Sequence, residues 1–215
     1  MDKLTNDFEK SLFNDSIDII EDYTEIGIDS FIEEGILKEI PFVRSIVSML
    51  KIGKNIHDRN LLKQTLTFIK EFNSGNISKG KLIAYKSTIE NNHQKCEEEL
   101  GRVLILLNSY VDREKSIMLA RLYKSYVMQE INWHEFCEFS EIINRLFIED
   151  LRILKYLQEQ KKIKGSQGDD FRLERLYSLG IVGNSYFADF NNLKDNFIEG
   201  RVLNSIGKKF CNIIF

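Results

Sequence analysis

Asn132-Trp133-His134-Glu135-Phe136-Cys137-Glu138-Phe139-Ser140-Glu141-Ile142-Ile143 places apolar side chains at 133, 136, 139 and 143, and the series continues at Phe147, Leu151 and Leu154. Steps of three and four put these residues on one side of a helix. Glu130-Ile131-Asn132 reads as the turn before it, and Asn132 is a residue type suited to accept the first free backbone N–H groups. The stretch therefore predicts a helix whose aromatic stripe forms core, or otherwise lines a groove for a partner.

The same grammar extends upstream. Ser16 to Leu37 carries Ile17, Ile20, Tyr23, Ile28 and Phe31 at helical spacing. Pro41 suits the first residue of a new helix, where a missing N–H costs nothing. That helix would bury Ile40, Val43, Ile46, Val47 and Leu50, with Ile56 as a further candidate, and Asn60 to Phe72 adds another. Asn73-Ser74-Gly75-Asn76 is turn chemistry. A long helix is expected from about Gly80 to Tyr110, and Asp112 would cap the next. The chain has 215 residues and one proline, which favours long helices over the many turns of a sandwich or barrel. Its length suffices for a real core, and 43% hydrophobic with 29% charged residues excludes whole-chain disorder.

Charge is unevenly distributed. Residues 1–50 hold 12 acidic and 4 basic side chains, residues 51–81 hold 2 and 7, and the remainder balances. The net charge of -3 does not describe a polycation made for nucleic acid. Lys51, Lys54, Arg59 and Lys63 can share one side of a helix and offer a face to an anionic partner, or they pack on the acidic segment as solvated charge. Three cysteines without paired spacing fit a reducing cytosol. The start of the chain lacks the pattern of a signal peptide, and the apolar run at 36–56 is interrupted by Arg44 and too short for a lone span.

Beyond Gly165-Ser166-Gln167-Gly168 the pattern changes. Phe171 to Leu179 is a short helix ending at Gly180. Ile181-Val182-Gly183 and Gly200-Arg201-Val202-Leu203 read as paired strands, and Ser205 would cap a terminal helix with Ile206, Phe210 and Ile213. Leu176, Leu179, Gly180, Ile181 and Val182, followed by Val202, Leu203, Gly207, Lys208, Lys209 and Phe210, resemble the second half of a winged-helix domain over about fifty residues. The resemblance implies a recognition helix at 169–179. Its Arg172 and Arg175, with Lys208 and Lys209, are the nucleic-acid candidates. Asp169, Asp170 and Glu174 oppose the two arginines, and DNA affinity rests on phosphate neutralisation, so this helix departs from a DNA-reading pattern. The run Ile40-Pro41-Phe42-Val43 through Asp58-Arg59, Leu62-Lys63 and Phe68-Ile69-Lys70-Glu71-Phe72 resembles a segment of uncharacterised helical proteins of bacterial prophages and other mobile elements. That resemblance implies a phage-defence or mobile-element setting and carries no catalytic residue.

Three constellations bear on chemistry. Gly75-Asn76-Ile77-Ser78-Lys79-Gly80-Lys81 matches the first seven positions of a phosphate-binding loop, but Leu82 stands where Ser or Thr would hold Mg²⁺, and the preceding segment reads as helix. His93 with Cys96 and His134 with Cys137 have i, i+3 spacing and together could supply a tetrahedral zinc site. The competing reading puts His93 and Cys96 in one stripe with Ile89, Leu100, Val103 and Leu107, with Cys96 as a small core residue. Glu149-Asp150, Asp169-Asp170 and Glu97-Glu98-Glu99 read as solvated helix faces, and no nucleophile–base pattern surrounds His57, His93 or His134.

The sequence thus describes a mainly α protein: a multi-helix domain with a small C-terminal winged-helix-like α/β unit. Its expected divisions are 1–75 (acidic helix plus apolar helical hairpin), 76–164 (central helical domain) and 165–215. The expected function is a non-enzymatic cytosolic interaction or regulatory protein without cofactor, acting on a protein partner or as a homo-oligomer. The alternatives are a membrane-perturbing effector using residues 36–56 and a winged-helix DNA-binding regulator.

Overall fold

The computed structural model describes residues 3–13, 40–49, 56–75, 77–160, 162–164, 170–188 and 197–215. The chain is mainly helical, and it forms two compact units, residues 1–136 and 137–215. The expected helix over Ser16 to Leu37, Lys51 and Lys54, and the Gly165–Gly168 linker lie outside the described residues.

The first unit is built from α1 (Lys3–Leu12), α2 (Pro41–Met49), α3 (Ile56–Asn73), α4 (Lys79–Glu90), α5 (His93–Ser109) and α6 (Arg113–Val127), and it takes in the start of α7 (Trp133–Arg145). α3 packs on α6 and α5, while α1 packs on α2 and α5. Aromatic rings run through this core: Phe8 meets Phe42 at 5.6 Å and Phe68 at 5.9 Å, Phe68 meets Tyr123 at 5.9 Å, and Tyr123 meets Phe136 at 5.5 Å. Pro41 opens α2 as expected, whereas Ile56 begins α3 and is exposed rather than buried with α2. The N–H of Phe42 donates to Ser11 Oγ of α1 at 2.9 Å. A helix start is thereby satisfied by a neighbouring helix rather than by its own cap. Gln64, fully buried, donates to the Val111 carbonyl at 2.9 Å and accepts from Ser116 Oγ at 2.6 Å, which holds the α5–α6 turn against α3.

Two of the expected helices are each divided. The stretch from 80 to 110 is two helices, because Asn92 Oδ1 accepts Lys95 N–H at 3.0 Å and starts α5 afresh. The aromatic helix from Trp133 stops at Arg145, and α8 (Asp150–Gln160) begins after a turn in which Asp150 Oδ2 accepts Phe147 N–H at 3.3 Å. Phe147 consequently leaves the core stripe and is 59% exposed. Asn132 does cap α7: its Oδ1 accepts Glu135 N–H and Glu135 Oε2 accepts Asn132 N–H, both at 3.0 Å. Asp112 precedes α6 without a side-chain cap bond.

The second unit continues with β1 (Ile163–Lys164), α9 (Asp170–Ser178), β2 (Val182–Ala188), β3 (Phe197–Leu203) and α10 (Ser205–Ile214). The sheet is antiparallel with order β1-β3-β2, and Val182 pairs with Leu203 while Ile163 pairs with Arg201. Gly180 at φ +75 ends α9, a backbone state that side chains with a Cβ disfavour. The cap of α10 is Asn204 rather than Ser205: its Oδ1 accepts Gly207 N–H and its Nδ2 donates to the Gly180 carbonyl, both at 2.8 Å. Leu154, Leu157, Leu173, Leu176, Ile181 and Phe210 fill this core.

Candidate functional site

In the terminal unit an ion pair organises an exposed aromatic surface. Asp150, at the start of α8, is completely buried. Arg175 of α9 grips it in a fork, with Nε donating to Oδ2 at 2.8 Å and Nη2 donating to Oδ1. The bond to Asp150 raises the guanidinium's pKa further, so its charge is permanent. The held guanidinium lies over the Phe147 ring at 4.3 Å and within 5.7 Å of the Phe171 ring. Phe171 is 63% exposed. One turn along α9, Arg201 of β3 donates to Glu174 and covers the Tyr177 ring at 5.0 Å. Two arginines paired with carboxylates thus lie against three exposed rings, forming a ledge of arginine and aromatic groups.

A second polar cluster lies in the interior of the first unit. Glu99 of α5 is buried and accepts from Tyr85 of α4 at 2.5 Å and from Tyr126 of α6 at 2.6 Å. Tyr85 and Tyr123 hydroxyls are 2.5 Å apart. Lys95 Nζ stands 3.6 Å from Glu99 Oε1. Burial, with the neighbouring Tyr123 and Glu99, drives the Tyr85 phenol well above its ordinary range, and burial does the same to Tyr123. Cys96 donates to Glu9 Oε2 at 3.6 Å, and burial beside that carboxylate pushes its thiol up to about 12. Protonated phenols and an unreactive thiol make this cluster a tie between helices, with the carboxylate as shared acceptor.

The remaining sequence candidates distribute as follows. His93 and His134 are exposed, Cys96 is buried and Cys137 partly so, and no group of three metal-ligating side chains forms among the described residues. Cys96 therefore occupies the core position of the competing reading, while His93, expected in the same stripe, is exposed at the start of α5. Lys81 donates to the Met128 carbonyl at 2.5 Å, and the loop before it follows helix α3, so the strand that a phosphate-binding loop requires is missing there. Arg59 and Lys63 are exposed on α3, and Lys208 and Lys209 are exposed on α10. Arg172 lies 5.4 Å over Phe171.

Two carboxylates read as solvated faces are the best-buried acids of the two clusters, Glu99 and Asp150. Their hydrogen-bonding side-chain partners, Tyr85 and Tyr126 for Glu99 and Arg175 for Asp150, come from other helices. Arg175 in particular is 25 residues from Asp150, beyond any local spacing rule. The ring pattern carries one legible signal: Phe171 is a large apolar residue opposite the Leu173–Leu176 face of its helix. Compared with protein-family models, curated proteins and solved structures, the chain matches none.

Proposed function

We propose that this chain is a non-enzymatic interaction or regulatory protein that binds a protein partner through the Phe147–Phe171–Tyr177 ledge of its terminal unit, in the cytosol. The observation that carries the reading is Arg175, held by buried Asp150 against two exposed rings. Arginine and aromatic residues dominate the energetic centres of protein interfaces. Here the fork onto Asp150 already fixes the Arg175 side chain on folding, so less ordering cost remains for binding. The mobile-element and phage-defence setting follows from the sequence resemblance alone.

The β1-β3-β2 sheet order with a helix before β2 supports a winged-helix-like arrangement of the terminal unit. DNA reading is the weaker use of it. Arg175 and Arg201 are committed to Asp150 and Glu174, which removes charge that phosphate contacts would need. No helix among the described residues is long and apolar enough to cross a membrane.

Affinity capture from source cells with the wild-type chain and with Phe171→Ser/Tyr177→Ser tests the reading. A stoichiometric protein partner should be retained by wild type and lost by the variant at unchanged melting temperature. Equal retention by both removes the ledge from the interface. Retention of duplex DNA that falls steeply with salt and depends on Arg172, Lys208 and Lys209 would establish the regulator instead.

A further inference from the structure

We propose that the outer edge of β2 is a self-association surface, on which a second copy of this chain adds its own β2 antiparallel. The hydrogen-bond phase of the hairpin identifies the available groups. Asn204 N–H donates to the Ile181 carbonyl at 3.2 Å, so 181 and 204 form a bonded pair. In an antiparallel ladder bonded pairs recur every second residue. Gly183, Ser185 and Phe187 therefore direct their backbone groups at Val202, Gly200 and Ile198 of β3, with which they are in register. Val182, Asn184, Tyr186 and Ala188 direct theirs away from it. Among the described residues no strand pairs with that side, since β3 lies between β2 and β1.

The strand's own sequence lacks the usual protections. Edge strands are kept from pairing by lysine, proline, inward charge or brevity. Val182-Gly183-Asn184-Ser185-Tyr186-Phe187-Ala188 is seven residues long and contains no proline and no ionisable acid or base other than the tyrosine. In a chain with 29% charged residues this neutrality matters for one occupant above all. A two-fold axis places each residue of the strand opposite another residue of the same strand, so any net charge on it would be repelled by its own copy. An axis at Ser185 sets Asn184 against the partner's Tyr186 and Val182 against the partner's Ala188. Every outward N–H and carbonyl is then paired. Asn184 and Tyr186 are both exposed, the latter at 69%, and they meet across the axis as neutral polar and aromatic neighbours. The two-fold contact uses the β2 edge of both copies, and the opposite flank of β3 is occupied by β1 at Arg201 and Gly200, so pairing through β2 closes at two copies.

Light scattering on the full chain at rising concentration tests this. The mass should move from 25.2 kDa towards twice that value. Asn184→Pro, which deletes an outward N–H and leaves the β2–β3 ladder intact, should hold the chain at the lower mass with unchanged circular dichroism. Because proline can disturb a strand, a charge series provides the second arm. Asn184→Lys/Tyr186→Lys opposes like charges twice and should weaken dimerisation about tenfold, while Asn184→Lys/Tyr186→Glu should restore it. A wild type that stays monomeric, a dimer indifferent to all three variants, or growth beyond two copies would each overturn the proposal. So would a monomeric chain that takes up an unrelated extended peptide along β2.

Discussion

Arg175 shows how much one pair can carry. Its guanidinium is about a quarter exposed and its partner Asp150 is not exposed at all. Arg175→Met therefore strands a carboxylate in the core. The expected loss is about 2–3 kcal/mol, below the range for a fully buried pair because solvent screens one member. Urea unfolding measures it, and Asp150→Asn/Arg175→Met should recover most of the loss, since the stranded charge is then gone. A pH effect follows from the raised acids. Tyr85, Tyr123, Cys96 and Cys211 all hold their protons more tightly when folded, and burial puts both thiols at about 12. The unfolded chain releases thiol protons from about pH 9 and phenol protons from about pH 10. Above these values it binds fewer protons than the folded chain, so stability is full below pH 9 and falls as pH rises. Each group contributes a slope of up to about 1.4 kcal/mol per pH unit. Denaturation between pH 8 and 11 should show this decline, and Tyr123→Phe should shallow it above pH 10. None of these partnerships was readable locally. A sequence displays the acid and the arginine but not the fold that joins them.

Helices announced themselves through periodicity, and their ends did so less well. The stripe from Trp133 to Leu154 keeps helical spacing straight through a real break, because Leu146 is buried inside the turn and Asp150 closes it. Apolar spacing reports which residues face the core and says little about whether the backbone between them is continuous. Asn92 carried a usable capping signal that a long apolar run obscured. At α10 the sequence placed the cap one residue late, since Ser205 and Asn204 are both acceptable caps and only the bonds to Gly207 and Gly180 separate them. Two expectations belong to this element. Asn204→Ala should cost about 1–2 kcal/mol, having both a cap and a loop tie to lose. Gly207→Ala should cost at least as much, because a Cβ there would stand 1.9 Å from the Ile181 carbonyl oxygen and force α10 away from the start of β2. Thermal melts of the two variants, with Ser205→Ala as an unaffected control, check both.

At the scale of the whole chain, composition and periodicity sufficed for a mainly helical protein, and the change of pattern after residue 165 marked the hairpin before any coordinate. The functional alternatives divide at α2. Insertion into a bilayer would need its apolar side chains to leave the protein. Phe42 and Val43 are fully buried, Ile46 nearly so, and Arg44 faces outward. Burial of such side chains contributes about 1.5–3 kcal/mol each, whereas an arginine at the bilayer centre costs about 2.5–3.5 kcal/mol. The hydrogen bond from Phe42 to Ser11 and the Phe8–Phe42 contact add to what release would break. The intact chain is therefore expected to leave dye-loaded anionic vesicles sealed. Val43→Asp should destabilise it by more than 3 kcal/mol, because an unpaired carboxylate replaces a fully buried core side chain of α2. Vesicle leakage by the wild type, abolished by Val43→Asp at unchanged melting temperature, would instead mean that this face works outside the core, and the effector reading would replace the interaction reading.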